Sequence, residues 1–510
     1  MTPLRPSVPL PIRFSAHDRL QLEIKSELLC SSPTDERATW STDIWFLLPQ
    51  ATGVAPGSYA PEDFYEDLRA YTRLKTPVVP LAELVRRDGH RSPLAALAVL
   101  ASRAAGQRLT KPEKKLLIQE CKLLSAVFKS QVRDWLSPQE RLGASERLER
   151  ADELAGHLRQ LVTTWRALRD DLYSKQIPKK CRYVLSYCDE SLSIQLEQAA
   201  LDQVLLLEES DRTTPGAELL TALAREEQAH RSGKGWRTTL DADAPGEEYI
   251  DQARLIKKYV SSALHLHLRT ARGDWLVRQG AFAVAAGIAM AWAVIAQLLM
   301  FVALDMQLRA GVSLGFMGSF MALAVGAYVL KDRIKANAAP ALSRRLNTYL
   351  SDHRDDIYMP EHDKPVGRIS ERMTFETSRD LPDEVALLRK ASARAHLLLV
   401  AEQDVLRYTR QVELRPREAV VGFPRLDGLS DILRLNVWRW IRTYSRARKQ
   451  LPFVDPDGKV KVRKVDNLYF VDVLVRFTRV APLPATHLAH FRLAMNRRGL
   501  VDVQEVGSVA

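Results

Sequence analysis

Cysteine is scarce: Cys30, Cys121, Cys181 and Cys188 are the only four in 510 residues. They are too few and too scattered for a disulfide framework, and no CxxC or Cys/His zinc spacing occurs, so a reducing compartment is expected. Also missing are GxxxxGK[ST] and GxGxxG phosphate loops and the HExxH zinc-protease pattern. Met1 to Arg13 carries prolines at positions 3, 6, 9 and 11 and no apolar run that could serve as a signal-peptide core, so export is not expected. With 46% hydrophobic and 27% charged residues, the chain also lacks the apolar excess of a polytopic transporter.

What is present is basic charge and two long uncharged runs. The net charge is +12. Residues 407–498 hold 20 Lys plus Arg against 8 Asp plus Glu, so the whole surplus lies there. Such a module points to anionic lipid headgroups first and nucleic acid second, and nucleic acid is not the expected partner.

Gly280–Leu304 and Ala310–Leu330 contain no charged residue. Each reads as a span of roughly 30 Å or more at about 1.5 Å per residue, and the short connection makes them an antiparallel transmembrane hairpin. Arg269, Arg272, Arg278, Lys331, Arg333, Lys335, Arg344 and Arg345 flank the pair, against Arg309 in the turn. The positive-inside rule then places both termini in the cytoplasm of a multi-pass protein in the plasma membrane, the inner membrane if the chain is bacterial. Small residues at Gly287, Gly311, Gly315, Gly318, Ala322 and Gly326 form the expected packing face, closing the hairpin or joining copies into a homo-oligomer.

The expected fold class is mixed and mainly α, with this hairpin flanked by a helix-rich cytoplasmic N-terminal region carrying a small β element and by a C-terminal α+β domain. Its divisions are a β-containing module at 1–90, a helical region at 91–231, a linker and membrane-proximal helix at 232–279, the hairpin at 280–330, a second membrane-proximal helix and loop at 331–366, and a basic domain at 367–510. Ser92-Pro93 and the Thr110/Glu113 capping box start helices. Apolar spacing on both sides of Pro178 predicts an antiparallel helical hairpin or coiled coil with Cys181 and Cys188 in its core. Leu381–Gln411 reads as a helix, and so does 429–449. In the latter, Arg434, Arg439, Trp440 and Arg442 would form a membrane-surface helix, or the apolar stripe would pack on its own domain. Asp455 to Gly458 reads as a hairpin turn.

Candidate chemistry is thin. Gly311, Ser313 and Gly315 follow the nucleophile-elbow order, but they open an apolar helix rather than follow a strand. His353, Asp355, Asp356, Glu361, His362 and Asp363 form the densest set of metal ligands, and a solvated loop would have the same composition. No cofactor is implied. The expected function is a non-catalytic membrane scaffold, sensor or regulator working through protein partners. The alternatives are a membrane-tethered enzyme using the 353–363 cluster and an oligomeric pore.

Overall fold

The structure, a computed structural model, describes residues 11–509 apart from 90, 140–141, 175–176, 241–245, 271–272, 311–313, 348–350, 360–363 and 393–403. The chain forms two compact units: residues 1–71, 267–422 and 431–510, and residues 72–266 with 423–430.

The first unit is built on strands. From the N-terminus come β1 (Ile12–Ala16), β2 (Gln21–Leu29), β3 (Ala38–Leu48), the short helix α1 (Pro61–Asp67) and β4 (Leu68–Leu74), whose end passes into the second unit. In the second unit α2 (Leu81–Leu84), α3 (Pro93–Gly106), α4 (Lys111–Leu136), α5 (Ala144–Ser174), α6 (Lys179–Leu205), α7 (Pro215–Gly233) and α8 (Gly246–Ser261) follow. The chain then returns to the first unit through β5 (His267–Thr270), α9 (Gly273–Ala310), α10 (Leu314–Asn347), β6 (His353–Tyr358), β7 (Pro365–Thr377), α11 (Asp383–Ser392), β8 (Asp404–Leu414) and α12 (Pro416–Gly422). After β9 (Gly428–Asn436) and the single turn α13 (Trp438–Ile441) come β10 (Arg448–Val454), β11 (Val460–Asp466), β12 (Tyr469–Ala481), β13 (Ala485–Asn496) and β14 (Gly499–Val509).

An eight-stranded sheet runs in the order β14-β13-β12-β3-β8-β7-β6-β5, and a four-stranded sheet in the order β1-β2-β9-β4. Strand β3 lies inside the larger sheet, with Trp45 opposite Leu474 on β12 and Arg407 on β8. Alternation sends its side chains to two cores. Ile44, Phe46 and Leu48 pack with Leu22, Ile24, Leu433 and Leu435 of the smaller sheet. Trp45 and Leu47 pack on Leu381, just before α11, and on Val385 of α11.

Several local expectations hold in the second unit. Ser92 accepts the Leu94 N–H at 3.2 Å, and Glu113 accepts the Thr110 N–H at 2.8 Å in the capping box. Helices α5 and α6 flank Pro178, and Cys181 and Cys188 are buried.

The fold class needs correction. Strand accounts for 29% of the chain against 49% helix, in large antiparallel sheets. The N-terminal strands are not a separate small module, because β3 is hydrogen-bonded between C-terminal strands. Segment 429–449 is not one helix: β9 ends at Asn436 and only one helical turn follows. Its inward positions are Leu429, Asp431, Leu433 and Leu435, a period of two that overlaps a helical stripe in this short stretch. Of 381–411, only Asp383–Ser392 is described as helix, and residues from Asp404 belong to a strand.

The transmembrane hairpin is likewise not upheld. Helices α9 and α10 exist, but among the described residues no helix is long and apolar enough to cross a membrane. Absence of charge is a poor proxy for apolar length: Ala and Gly supply 11 of the 25 residues in Gly280–Leu304 and 8 of the 21 in Ala310–Leu330. Small side chains contribute little of the apolar area that makes a span favourable. The multi-pass membrane location, the cytoplasmic placement of both termini, and the membrane scaffold, tethered enzyme and pore readings all rested on those spans and fall with them.

Candidate anion-binding cavity

The metal candidates are not gathered into a site. His353 and Asp355 share one face of β6, while Asp356 points to the other and pairs with Arg368 at 2.9 Å. His353 packs edge-on against Tyr65, with ring centroids 4.2 Å apart. Glu361, His362 and Asp363 lie outside the described residues, and no group of three metal-binding side chains occurs among those described.

Gly311 also lies outside the described residues, and Gly315 is in α10. Gly287, Gly318, Ala322 and Gly326 are exposed, and a Cβ added at any of those three glycines meets no atom within 4 Å. Trp440 is fully buried. Arg434 donates to Glu23 at 2.8 Å, Arg439 to Glu66 at 2.7 Å, and Arg442 is exposed.

The groups that do converge are on helices α4, α6 and α8 of the second unit. On α4, Ser125, Lys129 and Arg133 are spaced by four and so lie along one face. Ser191 and Gln195 have the same spacing on α6, and α8 adds Lys257 and Ser261. Together with Arg73 they line a cavity of about 360 Å³. A neighbouring hollow of about 290 Å³ adds Tyr249 and Arg254. Another, of about 540 Å³, adds Val132, Leu136, Leu205 and the carboxyl of Asp202. Lys129 and Gln195 line all three.

The floor is a hydroxyl and amide network. Ser125 Oγ and Ser191 Oγ are 2.6 Å apart, and Gln195 Nε2 donates to each at 3.0 Å. Gln195 Oε1 is buried and has no hydrogen-bond partner among the described residues. A buried acceptor left unmatched costs about 1–3 kcal/mol, so a donor arriving there would be favoured.

The electrostatics of the 360 Å³ part are one-sided. Arg73, Lys129, Arg133 and Lys257 line it, and among the described residues no carboxylate, histidine or cysteine does. Arg133 bonds Asp134 at 2.8 Å, whereas neither Lys129 nor Lys257 has a carboxylate partner among the described residues. Lys129 is exposed at the cavity mouth, yet desolvation by the surrounding walls, then the charges of Lys257 and Arg133, hold its ammonium below the ordinary lysine range. An incoming anion would relieve both effects.

A second polar centre in this unit borders a smaller cavity of about 250 Å³, whose lining includes the carboxylates of Asp170 and Asp189. Asp189 accepts from Trp165 Nε1 at 2.8 Å, faces His230 Nε2 at 3.0 Å and is bonded by Arg169. Burial pushes its carboxyl up, but the His230 bond and the Arg169 charge outweigh burial and hold it below the usual range. With those donors in place, Asp189 works as a structural tie.

The cavity residues escape a reading of single helices. On α6, Ser191 and Gln195 alternate with Cys188, Leu192 and Leu196, so the stripe registers as core. The one available signal is the polar series at 125, 129 and 133 on α4, and such a series normally marks a solvated face. Comparison with models of protein families, with curated proteins and with solved structures finds no match for this chain.

Proposed function

We propose that the helical unit is a binding module for a small molecule bearing a phosphate-class anionic group, held between Lys129 on α4 and Lys257 on α8. The observation that carries this reading is a cavity lined, among the described residues, by four cationic side chains and no carboxylate. Its volume of about 360 Å³ falls within the roughly 300–1,000 Å³ usual for small-molecule sites. Gln195 Oε1 adds a preference for a ligand that also carries an N–H or O–H donor. The lining groups bind and orient.

Calorimetric titration of the full chain with inorganic pyrophosphate at neutral pH and low salt tests this. One site per chain is expected, and Lys129→Gln or Lys257→Gln should each weaken binding by about tenfold or more, the worth of one charge-assisted hydrogen bond. No binding at millimolar pyrophosphate, or unchanged affinity in both variants, would overturn the reading.

The pH dependence has a definite sign. Because the free protein holds Lys129 below the ordinary lysine range, binding of an anion restores the charged form and takes up a proton where Lys129 is partly neutral. Affinity should therefore fall as pH rises through the depressed pKa. Over that same window the unfolded chain binds more protons than the folded one, so the stability contribution of Lys129 rises with pH.

A further inference from the structure

Strands β10 and β11 form a two-stranded sheet of their own, separate from both larger sheets. Seven residues of each strand pair in register, from Arg448 opposite Asp466 to Val454 opposite Val460, and every one of them is exposed. An isolated hairpin is marginal in water, so its turn has to be well made. Asp455 Oδ1 accepts from the N–H groups of Asp457 at 3.1 Å and Lys459 at 2.9 Å, Oδ2 forms an ion pair with Lys461 Nζ at 2.6 Å, and Gly458 takes φ +75°. The result is a defined ribbon about 24 Å long, at about 3.4 Å per residue.

Its charge is uneven. Residues 448–466 contain six Lys or Arg and three Asp. Arg448 is tied to Asp466 at 2.9 Å and Lys461 to Asp455, while Lys449, Lys459, Arg463 and Lys464 have no carboxylate partner among the described residues. The period of two places Lys449 and Arg463 on one face with Leu451, Phe453 and Val465, and Lys464 on the opposite face.

We propose that this ribbon enters a groove of double-stranded nucleic acid. A major groove about 12 Å wide admits a two-stranded ribbon, and its phosphate walls stand on both sides of whatever enters it. Cations on both faces suit that geometry, whereas a lipid surface would meet only one face. Addition of a second copy at the ribbon edge is disfavoured by Pro452, which lacks a backbone N–H, and by the lysines of β11. The sequence alone ranks lipid above nucleic acid, and the two-faced ribbon reverses that order.

The test is fluorescence anisotropy of a mixed-sequence DNA duplex of about 20 base pairs with the full chain, over about 50 to 200 mM salt. Four phosphate contacts give a log–log salt slope near −3.6, or about a 100-fold loss of affinity across that range. The combined variant Lys449→Gln, Lys459→Gln, Arg463→Gln, Lys464→Gln should lose most of that slope, and Arg463→Gln alone about one unit of it. Both variants should melt like the parent, since all four side chains are exposed. Parent affinity and slope in the combined variant would overturn the proposal. So would failure of the parent to bind duplex, or ribbon-dependent retention only on phosphatidylglycerol-containing vesicles.

Discussion

Replacement of Arg410 by alanine should lower the stability of the first unit by about 3–5 kcal/mol, read as a shift of its denaturant midpoint. Arg410 lies on β8 with a side chain 2% exposed. Its Nε donates to Asp431 Oδ2 at 2.7 Å and its Nη2 to Asp431 Oδ1 at 2.9 Å, a bidentate pair, while Nη1 reaches Glu371. Tyr408 Oη donates to the same Glu371 carboxylate at 2.7 Å. Truncation leaves two carboxylates buried without their guanidinium, which is costlier than the pair itself is stabilising. The combined change Arg410→Met, Glu371→Gln, Asp431→Leu, which keeps an acceptor for the Tyr408 hydroxyl, should therefore recover much of the loss. A loss below about 1 kcal/mol for Arg410→Ala would show that the network is not the tie between β7, β8 and β9 inferred here.

Gly499→Ala should be nearly as damaging, by about 3 kcal/mol, through backbone strain and crowding rather than charge. Gly499 opens β14 with φ +134°, a conformation L side chains rarely adopt. An added Cβ would stand 1.9 Å from the carbonyl oxygen of Arg19, which itself accepts the Leu500 N–H at 2.7 Å. Relief requires moving the chain before β2 away from β14 and breaking that bond. Gly458→Ala, at φ +75° but with open space around it, is the comparison: it should cost only the conformational strain, about 1 kcal/mol. Equal effects of the two substitutions would contradict the steric part of the argument.

These two sites show why some of the fold is legible in sequence and some is not. Short-range signals read correctly: the Thr110/Glu113 box, the turn at Pro178, and the Asp455–Gly458 turn each depend on residues within a few positions. Strand β9 did not, because one of its inward residues is Asp431, and the partner that makes Asp431 tolerable inside is Arg410 on another strand. Strand β8 was hidden for the same reason, since its inward series includes Arg410. The pairing of β3 with β12 joins residues more than 400 positions apart, and no local pattern announces it. The uncharged runs at 280–330 were legible as helices, but charge alone did not measure their apolar length. The cavity belongs to the long-range class: Lys129, Gln195 and Lys257 come from three helices, and each looks ordinary on its own.

Lysine reactivity tests the anion-binding claim most directly, because it reports location as well as binding. Only the neutral amine attacks acetic anhydride, so Lys129, held below the ordinary lysine range, should be acetylated faster in the free protein than Lys258, which is exposed as Lys129 is but lies outside the cavity lining. Mass spectrometry of the labelled full chain should show that saturating pyrophosphate slows acetylation of Lys129 and Lys257 severalfold and leaves Lys258 unchanged. Protection that is equal at all three lysines, or absent at Lys129 and Lys257, would contradict an anion site between α4 and α8.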